Sequence, residues 1–227
     1  LCNSRQLAPP SRIPPHNLYP PSSPLRPLLP QFARVRLLIE PLAWRKHDLS
    51  IPSMLPLDEL PPDLPEKGMR DSAELGRPMA KARERGAATL VLMGGHVVRA
   101  GVARQLIDLM ERGLITHIGM NGAGPIHDFE LAKIGATCES VARYIRSGEF
   151  GLWRETGEMN DIVRDVVAQG MGLGASLGHA IERGDFPHQG TSILAAALRR
   201  GGPATRPPRA ASDPTPPLAD TAAPSWP

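Results

Sequence analysis

Two glycine-rich runs hold the residue types from which a small-molecule site could be built. The first is Gly94-Gly95-His96-Val97, continuing to Gly101; the second is Asn121-Gly122-Ala123-Gly124-Pro125-Ile126-His127-Asp128. Glycine has no Cβ, so backbone amides in such runs can approach a pyrophosphate or ribose, and amides at a following helix start attract anions. The same glycines would equally serve a tight strand-to-helix turn with no ligand. His127 beside Asp128 could form a proton-transfer pair or grip a cationic amine. Alternatively, Asp128 could satisfy orphan amides at a helix start and leave His127 partly exposed.

The other reactive residue types carry less. His96 has no evident partner and reads as a polar loop residue, while His117 reads as structural within a strand. Cys138 falls at the start of a helix expected over 138–147, where the dipole would favour a thiolate, but no histidine–acid partner accompanies it. Glu149, Glu155, Glu158 and Asp161 surround Trp153 and suit either a polyamine or a solvated helix start. Gly170-Met171-Gly172-Leu173-Gly174 follows a helix rather than a strand, which does not support a dinucleotide fingerprint; Gly178 and Gly184 fit close helix packing better.

The elements that must position these residues alternate. Helices are expected at 69–85, 101–112, 126–134, 138–147, 158–169, 175–183 and 191–200, most of them stopped by a glycine. Residues 88–93 form an apolar run of the kind a buried parallel strand carries, and 114–120 read as a second strand. Strand, helix, strand, helix at this spacing predicts an α/β fold with a parallel sheet, whose ligands would bind beyond the carboxyl ends of the strands.

Glycine and proline set the boundaries. All 22 glycines lie between Gly68 and Gly202, whereas 15 of the 26 prolines precede residue 66 and 8 follow residue 202. Proline pairs such as Pro9-Pro10 and Pro14-Pro15 cannot sustain helix or ladder hydrogen bonds, which predicts a largely extended or disordered 1–68, an ordered 69–202 and a disordered 203–227. Residues 34–50 are expected to pack on the ordered part. No apolar stretch is long enough for a transmembrane helix and no secretory signal is visible, so no membrane association and a cytoplasmic location are expected. The net charge of +3 comes with scattered arginines rather than a basic stripe, which argues against nucleic-acid binding. Two cysteines without C-x-x-C spacing exclude a disulfide scaffold and give no metal pattern.

The runs Met93–Gly101, Asp108–Thr116 and Met120–Glu130 together resemble the deoxyhypusine synthase family, in particular its bacterial deoxyhypusine-synthase-like branch. The resemblance covers about residues 87–202. It implies a Rossmann-like NAD-binding domain assembled as a homotetramer with sites at subunit interfaces. It also implies an NAD-dependent transferase that moves an aminobutyl group from spermidine or a related amine to a protein lysine or another amine acceptor. Carried onto this chain, Gly95, His96 and Val97 would touch the dinucleotide, Asn121, Gly122, Ala123 and Gly124 would line it, and His127 and Asp128 would help hold the polyamine. A non-catalytic nucleotide-binding or assembly module is the alternative.

The chain departs from the family's pattern on its C-terminal side. After the helix at 191–200 the family continues with a strand, an acid–glycine loop, a catalytic histidine and the catalytic lysine. Here Pro203-Ala204-Thr205 begins as that strand should and then gives way to arginine, proline and alanine. The four lysines, Lys46, Lys67, Lys81 and Lys133, all lie too early to take the covalent role. The expectation is a domain incomplete on this side, truncated by a shift of reading frame, inactive by itself and left with an exposed sheet edge.

Overall fold

The computed structural model of the chain describes residues 37–59, 65–167, 171–201 and 204–205. The expectations for the proline-rich start and for the tail after Thr205 lie outside these residues. The chain divides into Leu1–Leu38 and a compact unit from Ile39 onward, and the elements below belong to the second.

The architecture is mixed α/β. Strand β1 (His47–Ser50) precedes helix α1 (Glu66–Glu84), then come β2 (Leu90–Met93), α2 (Gly95–Arg99), α3 (Ala103–Glu111), β3 (His117–Met120), α4 (Ala123–Ile134), β4 (Ala136–Glu139), α5 (Val141–Ser147), α6 (Arg154–Val167), α7 (Leu173–Arg183), α8 (Ile193–Arg199) and β5 (Ala204–Thr205). They build two small sheets. Strands β2, β3 and β5 are parallel in the order β2-β3-β5, with Leu90 opposite His117 and Ile118 opposite Ala204. Strands β1 and β4 form an antiparallel pair, with His47 opposite Glu139 and Leu49 opposite Thr137.

Glycine punctuation accounts for the helix ends. Gly86 follows α1 at φ +64°, and Gly135 and Gly148 cap α4 and α5 at +70° and +77°, conformations that cost L-residues a Cβ clash. α4 is buried on nearly every side: Gly124, Pro125, Asp128, Phe129, Glu130, Leu131 and Ala132 are all inaccessible. A helix of this kind must sit at the centre. Around it pack Ile118 and Met120 of β3, Leu177 and Ile181 of α7, and the run Ile193–Ala197 of α8, which is buried throughout. A smaller cluster joins Leu42, Tyr144 and Trp153, with the Tyr144 and Trp153 rings edge to face at 5.1 Å.

Three elements differ from the sequence expectation. α1 starts at Glu66 rather than at 69, while β1 at 47–50 and the fully buried Leu42 pack on the ordered part as expected of residues 34–50. The helix expected over 138–147 is preceded by β4, so Cys138 stands in a strand rather than at a helix start. β4 reads Ala-Thr-Cys-Glu and its partner reads His-Asp-Leu-Ser; neither has an apolar run, and the pair exists because its ladder joins segments far apart in the chain. β2, expected to be buried, is an outer strand of its sheet, with Leu90 58% and Leu92 75% exposed.

Gly178 serves helix packing, as its position suggests. A Cβ there would lie 2.7 Å from the Leu194 carbonyl oxygen where α7 crosses α8. Backbone cannot yield as a flexible side chain can, so Gly178→Ala is expected to cost about 1–3 kcal/mol in urea unfolding. An unchanged midpoint would show that the two helices separate freely.

Candidate functional site

The functional groups converge where the carboxyl end of β4 meets the first turns of α4, the end of α2 and the loop before α6. Between them lies a cavity of about 170 Å³, with Ile126, Val141, Phe150 and Trp153 as apolar wall and His127, Glu130, Glu139, Arg45 and Arg99 as polar groups. Its floor is a buried ion pair. Arg45 Nη1 and Nη2 donate to Glu130 Oε1 at 2.9 Å and Oε2 at 2.5 Å, and both side chains are almost inaccessible. Thr156 Oγ1 and Thr137 Oγ1 each donate to the same carboxylate at 2.7 Å. Four donors around one carboxylate are what make a buried charge tolerable.

His127 stands one helical turn before Glu130, on the same side of α4. Its Nδ1 lies 2.8 Å from Thr137 Oγ1 and 3.8 Å from Cys138 Sγ. Burial holds its pKa below the ordinary histidine value, and Arg45, Arg99 and His96 push the same way against Glu130. Glu139 faces the cavity from β4; its carboxylate accepts from Trp153 Nε1 at 2.7 Å and Gly151 N at 3.1 Å, while burial raises its pKa. Cys138 is a correction. It is buried in β4 at φ +67°, and desolvation pushes its thiol up to about 11, so its surroundings disfavour the thiolate that a helix start would have favoured.

Asp128 is also placed differently from the expectation that it holds a polyamine. One residue on from His127, it is turned about 100° around α4 and is fully buried. Its carboxylate accepts from Ser192 Oγ at 2.6 Å, Ile193 N at 2.7 Å and Leu194 N at 3.2 Å, which docks the N-terminus of α8 onto α4. The helix-start role foreseen for it is thus real, but the helix it serves is α8 rather than its own.

The residues read as loops open helices instead, Gly95, His96 and Val97 in α2 and Ala123 and Gly124 in α4, and they meet at the carboxyl edge of β2 and β3. Asn121 Oδ1 accepts from Gly95 N at 3.1 Å and Gly124 N at 3.3 Å and so ties the two loops. A Cβ on Gly95 would lie 2.8 Å from Ala123 Cβ and 3.0 Å from His127 Cδ2, and one on Gly124 would meet Met120 at 2.9 Å. These glycines let α2 lie on α4 and α4 on β3. His96 and Asn121 are exposed, Val97 and Ala123 half-buried, Gly122 buried. The acidic cluster of the sequence does not assemble: Glu155 accepts from Leu42 N, Glu158 pairs with Lys133, Asp161 with Arg164, and Glu149 accepts from Ser147.

The site residues that sequence reasoning missed are Arg45, Glu130, Thr137, Glu139 and Thr156; Trp153 was singled out, but with acidic neighbours other than the Glu139 it meets. Only Glu130 carried a usable signal, its i,i+3 spacing from His127. Among the described residues no group of three or more His, Cys, Asp or Glu is placed to hold a metal, and no helix is long and apolar enough to cross a membrane. In comparisons with known proteins, no family model matches the chain and no curated protein matches it.

Two outcomes are expected. Arg45→Met strands a buried carboxylate and should cost about 3–5 kcal/mol in urea unfolding, part of which Arg45→Met/Glu130→Met recovers. For Asp128 the fold raises the carboxyl pKa from 3.8 to about 6. The folded state therefore binds this proton more tightly than the unfolded chain does. That contribution is complete below the unfolded value and is lost as pH rises through the folded one. Asp128→Asn, which cannot titrate, should flatten this fall in stability, measured as thermal midpoints across that window; equal slopes for the two proteins would contradict it.

Proposed function

We propose that the chain is the NAD-binding part of a deoxyhypusine-synthase-like transferase, a Rossmann-like domain of a cytoplasmic homotetramer. Its substrate is a polyamine or related amine, and its acceptor a lysine or second amine. The observation that carries this reading is a juxtaposition. Parallel strands β2 and β3 deliver Gly94–Val97 and Asn121–Gly124 to one edge, beside a cavity that combines apolar walls with His127 and Glu139.

The residues present suit the cofactor in part. Gly95 and Gly124 are taken up by packing, but Asn121 Nδ2 and the His96 ring stay at the exposed edge, and both can donate to a phosphate oxygen. The cavity is too small to enclose a dinucleotide, so these edge residues rather than the cavity would hold NAD. Bound there, it would supply hydride acceptance for amine oxidation. The chain's own groups then have distinct tasks. Glu139 offers a carboxylate to an ammonium, Trp153 and Phe150 exclude water from its alkyl chain, and His127 offers a neutral ring nitrogen.

A second reading, a nucleotide-binding or assembly module without turnover, draws on one observation. The described residues lining the cavity include two arginines and no lysine, so no amine is at hand to carry an imine.

Calorimetric titration with NAD, followed by absorbance of NADH on addition of spermidine, separates the readings. NAD is expected to bind, and His96→Trp at the open edge to weaken it about tenfold. Spermidine-dependent NADH formation supports the transferase; NAD binding without it supports the module. Absence of NAD binding removes the transferase and an NAD-binding module and leaves assembly.

A further inference from the structure

We propose that Glu130 and Thr137 are positioning residues that fix His127 as its Nδ1–H tautomer, making Nε2 the cavity's hydrogen-bond acceptor for the N–H of a primary amine. This rests on the amine-transferase reading and names the atom that meets the amine.

The assignment follows from counting protons. The Glu130 carboxylate, paired with both terminal nitrogens of Arg45, only accepts. Thr137 has one hydroxyl proton, and it is given to Glu130 Oε2 at 2.7 Å. Towards His127 the threonine oxygen can then only accept, so at 2.8 Å it is Nδ1 that donates. In a neutral imidazole the proton on Nδ1 leaves the lone pair on Nε2. Nε2 has no hydrogen-bond partner among the described residues and is not sealed from solvent, in contrast to Gln105 Oε1.

The surroundings keep the ring neutral. Arg45 from the segment before β1, and His96 and Arg99 from α2, oppose a further positive charge, and burial adds to them; Glu130 on α4 acts in the other direction. Cys138 and Glu139 complete the β4 side; burial disfavours the charged form of both, while Trp153 Nε1 and Gly151 N donate to Glu139 against that trend. A bare nitrogen accepts from ligand N–H groups and itself offers nothing to a ligand carboxylate or carbonyl; Arg99, half exposed in the same lining, is the group an anion would have to use. Discrimination of this kind arises because a mismatched acceptor would face another lone pair.

The test uses the full chain with ¹⁵N-labelled histidine. Long-range proton–nitrogen spectra assign the His127 tautomer, and n-butylamine and n-butyrate serve as probes. The wild type is expected to show protonated Nδ1 and bare Nε2, and to prefer n-butylamine to n-butyrate by about tenfold or more. Affinity for n-butylamine should hold at neutral pH and fall as the pH drops below the ordinary histidine range and His127 takes up a proton. Thr137→Val keeps the shape of the strand residue and frees the ring. It should mix the tautomers and weaken n-butylamine about three- to tenfold, and Thr137→Ser should restore both. A protonated Nε2 in the wild type, n-butyrate binding as well as the amine, or a Thr137→Val protein that mixes tautomers at full affinity would each overturn the proposal. If n-butylamine binds as expected but NAD does not, the relay stands and the transferase reading falls. If NAD binds while Nε2 is protonated, the relay falls alone.

Discussion

The buried carboxylate of Glu130 is the constraint on which the site depends. A lone carboxylate so far from water would be very costly, and it is tolerated only because four hydrogen bonds reach it. Those donors come from three separate places: Arg45 from the segment before β1, Thr137 from β4 and Thr156 from α6. Satisfying one charge therefore fixes three segments against α4. Such an ion pair contributes little net stability compared with an apolar core, but it strongly disfavours arrangements that leave the charge unpaired. The cavity walls inherit their positions from it.

α4 distributes these demands by its own geometry. With successive residues turned by about 100°, His127 and Glu130 share one side while Asp128 is turned away from both. One side builds the cavity; the other grips the first turn of α8 through Asp128. The apolar residues between them, Phe129 and Leu131, fill the core on both flanks. Disturbing the core on one face is therefore felt in the site on the other, because close-packed interiors transmit strain.

Asn121 plays a similar part at the sheet edge. A single side-chain oxygen holds amides from both glycine loops, and the missing Cβ atoms of Gly95 and Gly124 allow the close approach of α2, α4 and β3. The glycines read in the sequence as approach points for a ligand are in large part approach points for protein. This is why the two interpretations could not be separated from the letters alone: the absence of a side chain is the same signal whichever atom takes the space.

The α/β alternation, the helix stops at Gly86, Gly135 and Gly148, the close packing at Gly178 and the meeting of the two loops were determined by the sequence itself. They depend on local physics: helical periodicity, the need for glycine at positive φ, and the length of apolar runs. The role of His127 as a cavity residue was legible from its place after a strand-end loop. Everything that gives the cavity its chemistry was decided by the tertiary structure. Arg45 lies 85 residues from Glu130, and Trp153 lies 14 from the Glu139 it donates to. Strand β4 has no local signature because its stability comes from β1, and Cys138 takes its left-handed backbone and neutral thiol from that strand. Asp128, adjacent to His127 in sequence, was separated from it in function by 100° of helix turn. Burial and hydrogen-bond satisfaction are properties of the folded surroundings, and no spacing of residue types along a chain contains them.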